Sequence, residues 1–518
     1  MLRMSVTWRA LMSLIGFVKY SVVGRFFGAF GRAYEHSRTA AVTDRLLGAD
    51  ANMTERSLFA RMYSAVAQWT SRVGAVMRPA AERSLVCRFW RWLQSSAIVR
   101  LLFGHSTRRL LVVMFALYLP IDWALREFSP IVALATTWDE LFLAFGFAYA
   151  VFQRMLAPEE ERPRVTPLDT LILAFCGLGV LLTVMTAEDG LRIGISGLRA
   201  VVQYMLWFFV LTRIMRDDGD VKAFVAAFVG IGIVTALHGI AQYVLGVEIP
   251  EHWVSQAEVG VRSRAFSIFG SPNIMGSFMV MSAPLCASYA YRTATTWKRA
   301  LAWIGVLVIA LACLVTFSRG AWLGFAVMVA AFAWLRDKRL FALVALALGF
   351  AVMVPDVVNR ITFLFTDEFR HASQFGGRAG RWREGMRLLE TVDPMFGYGL
   401  GRFGGAVAMQ NQVNRHLSYF YLDNYYMKTL IEMGYLGLGG YIVLLVGTIW
   451  VGLRAVYRTK NTEFSAVACA LLAGMVGVLV HCYTENIFEV PYMNAYFWGM
   501  AAVLVWLGFI RKGNINEG

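Results

Sequence analysis

Apolar residues run nearly unbroken for about twenty positions at a time along most of this chain, the length needed to cross the hydrocarbon core of a bilayer as a helix. The runs fall at roughly 110–128, 138–155, 168–187, 195–213, 222–246, 274–291, 300–317, 321–335, 340–355, 428–453, 464–483 and 493–510. None alternates polar with apolar in the manner of a barrel strand, and lipid leaves no other way to satisfy the backbone. The pattern predicts an all-α integral membrane protein with about 12 transmembrane helices. It also predicts one large loop, 356–424, between the ninth and tenth spans. Residues 110–518 would form the polytopic membrane domain.

The first 109 residues follow a different pattern. Basic and apolar positions interleave at helical spacing in Trp8–Phe30 and again in Ser57–Leu102, without a long apolar run. Most of the chain's net charge of +15 sits in this region. A basic amphipathic arm suits the anionic inner leaflet of a membrane, so a lipid surface is its expected partner and nucleic acid is not. Lys19 and Arg25 interrupt the apolar core that a signal peptide would need. The hydrophobic fraction of 58% and mean hydropathy of +0.55 exclude an ordinary soluble domain.

Charge also gives a direction. Lys and Arg crowd the loops holding Arg154, Arg213, Arg292, Arg336, Arg454 and Arg511 with their basic neighbours, whereas the alternate short loops hold only Arg126, Arg192, Arg262, Arg264 and Arg319. The positive-inside rule then places both termini in the cytoplasm and the large loop outside. The six cysteines lie mostly inside predicted spans with no metal-ligand spacing. No P-loop, dinucleotide glycine signature or His-Glu-x-x-His zinc motif occurs, so neither cofactor nor metal is expected.

The large loop carries little bulk charge, 8 Arg against 7 Asp and Glu, and its information lies in spacing. It holds Arg378-x3-Trp382, then Pro394-x-x-Gly397-x-Gly399, then Asp423-Asn424-x9-Gly434-x-x-Gly437. Upstream lie Arg264 to Gly276, with Pro272-Asn273-x-x-Gly276, and Ser318 to Gly324. These elements, in this order and on one predicted membrane face, resemble the bacterial O-antigen ligase and polysaccharide polymerase superfamily from about Asp169 to the C-terminus. The chain departs from that pattern at Asp423, where the family has histidine.

The resemblance implies a GT-C-like membrane glycosyltransferase of the bacterial cytoplasmic membrane, independent of metal and acting at the outer face. Its donor would be a glycan on undecaprenyl pyrophosphate and its acceptor a hydroxyl of a second glycan or glycolipid, whether as ligase or as polymerase. Such a reaction needs cations for the leaving diphosphate, a base for the hydroxyl, and alignment of the two.

Arg319 and Arg378 are the expected phosphate-facing cations, since a planar guanidinium binds phosphate oxygens two at a time. Arg319 could equally anchor the end of its span. Arg381 shares a face with Arg378 if the stretch is helical; a surface acid such as Glu384 is the ordinary partner for either. Asp423 is the candidate general base, set against a plain role as cap of the helix beginning near Tyr425. Asn424, Arg264 and Glu485 are expected substrate contacts, and His416 is a reserve imidazole. Asn273 is expected to cap the following span, and Tyr425 and Tyr426 to face sugars or an interfacial belt.

Two other classes remain open at this stage. A lipid-linked glycan flippase or exporter would place its arginines along a central lumen, and an envelope assembly scaffold would use the basic arm for docking. Neither accounts for the ordered motifs.

Overall fold

The computed structural model describes residues 107–156, 165–186, 191–248, 263–341, 377–413 and 422–511, with scattered positions in 61–92 and 349–374. Most of the basic arm, the ninth predicted span at 340–355 and His416 lie outside the described residues.

The described residues are all helical or irregular, with no strand. In chain order they form α1 (Thr107–Ala116), α2 (Tyr118–Phe128), α3 (Val132–Leu156), α4 (Pro167–Met185), α5 (Leu191–Val202), α6 (Trp207–Ile214), α7 (Asp218–Val244) and α8 (Pro272–Arg292). There follow α9 (Thr296–Val315), α10 (Arg319–Leu335), α11 (Arg378–Glu390), α12 (Ala406–Gln410), α13 (Tyr425–Arg458), α14 (Ser465–His481) and α15 (Pro491–Val505). Every predicted span except 340–355 has a helix at its position. Among the described residues 7 helices are long and apolar enough to cross a membrane, and α10 and α14 are apolar but shorter. This is a multi-pass membrane protein, and its described residues show fewer clear spans than the expected twelve.

Breaks in the apolar rods are repaired by side chains. Between α1 and α2 the Tyr496 hydroxyl donates to Ala116 O at 2.8 Å and accepts from Leu119 N at 2.9 Å. That bridge satisfies backbone groups which lipid would leave bare. In α3 the buried Asp139 accepts from the Tyr118 and Tyr204 hydroxyls, while Asp122 on α2 accepts from the Trp138 indole. Arg199, a costly residue within an apolar stretch, pairs with Glu140 at 2.7 Å.

The centre is built on α8, α10, α14 and α15. Helices α8 and α15 are buried nearly all round, as inner members of a bundle should be. Helices α10 and α14 approach until their backbones touch: a Cβ on Gly324 would lie 2.7 Å from Gly477 O. Small residues allow such contact where lipid supplies no hydrophobic drive between helices.

The bundle has two chemically different ends. One gathers α1, α4, α7 and Arg511, with Arg213 on Asp169 at 2.6 Å and Arg511 on Asp218 at 2.8 Å. The other gathers the start of α8, the start of α10, α11, the start of α13 and the α14–α15 loop. The family-like motifs lie at this second end.

Candidate functional site

The stretch after Gly377 is helical, so Arg378 and Arg381 fall on one face of α11. Both reach the same carboxylate: Arg381 Nη2 donates to Asp423 Oδ2 at 2.8 Å, and Arg378 Nε lies 3.6 Å from that oxygen. Their partner is therefore Asp423 from 42 residues onward, not Glu384, which only approaches Arg387 at 4.0 Å. Trp382 fixes the other side of this unit. Its indole N–H donates to Leu422 O at 2.8 Å, and its ring meets Tyr483 edge-on at 5.6 Å. The Arg-x3-Trp spacing thus clamps the residue before Asp423 and the side chain of Asp423 with a single helix face.

Asp423 itself has φ of 49°, in the left-handed region that Asp and Asn tolerate better than other side chains but that still costs energy. It is not the helix cap. Asn424 caps α13, its side-chain oxygen accepting from Tyr426 N and Met427 N at 3.0 and 3.1 Å. Asn424 is also buried, so its side chain is engaged in the fold. Tyr425 belongs to the interior as well, and the half-buried Tyr426 donates its hydroxyl to Leu479 O. The α13 cap thus places Tyr425 inside the bundle rather than in an exposed belt.

Glu485, in the α14–α15 loop, enters the same cluster. Asn273 donates its side-chain N–H to Glu485 Oε2, and accepts at 3.4 Å from Arg264 Nη2. Asn273 is therefore a link between Arg264 and Glu485 rather than a cap; Ser271 holds the cap position of α8. Arg264 is buried, and its Nε donates to Thr316 O at 2.8 Å, which ties it to the turn before α10. Burial, then the nearby Asp423 charge, pushes the Glu485 carboxyl up to about 7, while Arg378 opposes the shift.

Arg319 opens α10, whose cap is the Ser318 hydroxyl. The next residue is pressed against the α14 end: a Cβ on Gly320 would lie 2.1 Å from Thr484 Oγ1 and 2.9 Å from His481 Nε2. His481 is buried, with Nδ1 2.6 Å from Ser277 Oγ. Sequence spacing gave no sign of His481, which sits at the end of an apolar helix and meets the site only through the packing of α8, α10 and α14.

The glycine motifs have a structural task. Gly434, with φ of 66° and ψ of −171°, interrupts α13, so Tyr435 N and Leu436 N cannot bond to Ile431 O and Glu432 O. The Pro394–Gly399 turn inserts itself there. Tyr398 N and Gly399 N donate to Ile431 O and Glu432 O at 2.7 and 3.0 Å, and Tyr435 N and Leu436 N donate to Pro394 O and Met395 O at 2.9 and 3.2 Å. A Cβ on Gly434 would stand 2.4 Å from Met395 O, and one on Gly397 would stand 2.3 Å from Gly434 N. Two motifs separated in sequence, the Pro394–Gly399 turn and Gly434, are one splice in a helix ladder, which docks the large loop against the start of α13. A buried pair, Lys428 and Glu432 at 2.5 Å with Glu489 at 3.3 Å, fastens the adjoining Gly404–Gly405 stretch.

A cleft lined by Gln374, Ala379, Trp382, Arg383, Met386, Arg387 and Glu390 runs along α11. It does not include the charged cluster. The structure thus brings Arg264, Arg378, Arg381, Asp423 and Glu485 into one constellation with the start of α10 beside it.

A helical multi-pass membrane protein with a charged constellation at one end is the class these observations define. Within it, residues 304–442 match the family model described as O-antigen ligase. The stretch similar to that family holds Arg319, Arg378, Arg381, Asp423 and the Gly434 kink. Arg264 and Glu485 lie beyond the matched residues at either side. Among curated proteins nothing matches the chain.

Proposed function

We propose that this protein transfers a glycan from undecaprenyl pyrophosphate to a hydroxyl of a second glycan or glycolipid, as an O-antigen ligase or polysaccharide polymerase. The observation that supports it most is the meeting of Arg378, Arg381 and Asp423 beside Glu485 at the motif-bearing end of the bundle. The donor bond is already activated, so the protein needs to neutralise the departing diphosphate and align the acceptor. Arg378 and Arg381, with Arg319 at the α10 terminus, supply the positive charge, and this chemistry asks for no metal. Charge-assisted hydrogen bonds of this kind contribute about 1.5–3 kcal/mol each before any gain in the transition state. Asp423 holds the two α11 arginines in register, and the Asp423–Glu485 pair supplies the carboxylate that takes the acceptor proton.

In this reading the site faces outward from the bacterial cytoplasmic membrane, with both termini and the basic arm inside. The decisive experiment uses purified protein and lipid-linked glycan, following release of undecaprenyl pyrophosphate. Arg319→Ala and Arg378→Ala each abolish transfer while the protein still accumulates in the membrane, Arg→Lys restores only part, and EDTA leaves the wild-type rate unchanged. Full activity in both alanine variants assigns these arginines to anchoring and removes the proposal.

A further inference from the structure

Two carboxylates share the site, and their surroundings differ. Asp423 accepts a hydrogen bond from Arg381 at 2.8 Å and lies 3.6 Å from Arg378. A carboxylate engaged by two guanidinium groups is committed as an acceptor to them and orders both in one plane of approach. Glu485 is held by neutral donors instead, the Asn273 amide on one oxygen and Asn486 N at 3.2 Å on the other. The charged and titratable groups that face it are Asp423 from the large loop, Arg378 from α11, Arg264 through Asn273 on α8, and Cys482 on its own side, while Arg381 reaches it only through Asp423 and the start of α10 packs against the neighbouring Thr484. His481 is occupied by Ser277 and buried, so the carboxylate is the group placed to exchange a proton.

Taking the glycosyl-transfer reading as given, we propose that Glu485 is the general base of the reaction and that Asp423 is a positioning residue for Arg378 and Arg381. The acceptor oxygen attacks the anomeric carbon of the donor. Its hydroxyl proton passes to the Glu485 carboxylate as the carbon–oxygen bond to the diphosphate breaks, and the bonding electron pair leaves on undecaprenyl pyrophosphate. Glu485 afterwards returns the proton to water. A carboxyl poised near 7 is well matched to this task, since about half of it is ionised at neutral pH and that half is basic enough to accept. The histidine that the family has at 423 would be a base of similar strength. Here the structure moves that property to the next loop and leaves the aspartate to order the cations.

The test uses full-length protein in detergent with lipid-linked glycan extracted from the cells that make it, over pH 5 to 9. Wild-type release of undecaprenyl pyrophosphate rises with pH through about 7. Glu485→Gln lowers it by ~10²–10⁴-fold and removes that rise, while the protein still binds undecaprenyl pyrophosphate. Azide, a nucleophile with no proton to lose, restores release in Glu485→Gln and yields a glycosyl azide. Asp423→Asn slows release but keeps the rise near 7, and azide does not rescue it. A Glu485→Gln enzyme near the wild-type rate, or a slow one that keeps the rise and ignores azide, overturns the assignment. If that variant does not accumulate, Glu485→Asp decides: the rise must move to lower pH, and an unmoved rise overturns the assignment. Wild-type protein that releases nothing overturns the transfer reading itself, and the base with it.

Discussion

Both ends of the bundle hold arginines against carboxylates, and they are built to opposite standards. At the end away from the motifs the acids both cap helices and pair with arginines, two of them sharing the same pair of arginines. Asp217 and Asp220 form a reciprocal cap at the start of α7 and meet Arg108 and Arg109, Asp169 caps α4 and pairs with Arg213, and Asp218 takes Arg511 bidentately. These contacts join neighbouring helix ends in ordinary backbone geometry. At the other end Asp423 adopts a left-handed backbone to meet two arginines from a distant helix, and Glu485 is packed beside it with only neutral donors. An ion pair is therefore no mark of function by itself. The mark is an arrangement drawn from several segments, held in a conformation that only the surrounding structure maintains.

The contrast breaks most visibly under arginine deletion. Arg381→Ala is expected to lower glycan transfer by about 10²–10³-fold. Arg511→Ala at the opposite end leaves turnover within about twofold and lowers thermal stability slightly, as a partly exposed pair contributes about 0–1 kcal/mol. Parallel turnover and melting assays on the two variants read this directly, and equal catalytic losses would erase the distinction.

Gly434→Ala tests whether the strained end is a splice. The new Cβ would collide with Met395 O in a left-handed conformation, a cost of roughly 3 kcal/mol or more from strain and lost backbone hydrogen bonds. Limited proteolysis should then cut the 356–424 loop while the α1–α7 half stays protected. Trp382→Phe is a milder probe. It removes the bond to Leu422 O, and at about 0.5–1.5 kcal/mol for one hydrogen bond the rate falls by roughly tenfold at most.

The smallest effect is on stability against pH. Glu485 and Glu489 both have carboxyls raised to about 7 from 4.5. For an acid whose pKa is raised by folding, the stabilising contribution is fully present below 4.5 and is lost as pH rises through 7. The melting temperature should therefore fall over that window, and Glu485→Gln should flatten the fall. An identical slope in that variant would show that Glu485 contributes nothing to it.

Much of this molecule was readable in one dimension. The apolar runs located the helices because crossing or packing within a bilayer requires length and hydrophobicity, both of which are local. The i, i+3 spacing of Arg378 and Arg381 foretold a shared face, since one turn of helix is enough to place them together. Local information failed at Asn273 and Tyr425. A cap and the residue beside it have nearly the same sequence signal, and which one turns inward depends on what packs above.

The sequence by itself determined a helical membrane protein, the order of its motifs and the charge asymmetry of its loops. Only the tertiary structure decided that Pro394–Gly399 and Gly434 are one splice, that Asp423 answers Arg381 across 42 residues, and that Asn273 delivers Glu485 to the same place. These pairings join segments far apart along the chain, and each exists because the packing of α8, α10, α11, α13 and α14 brings those groups together.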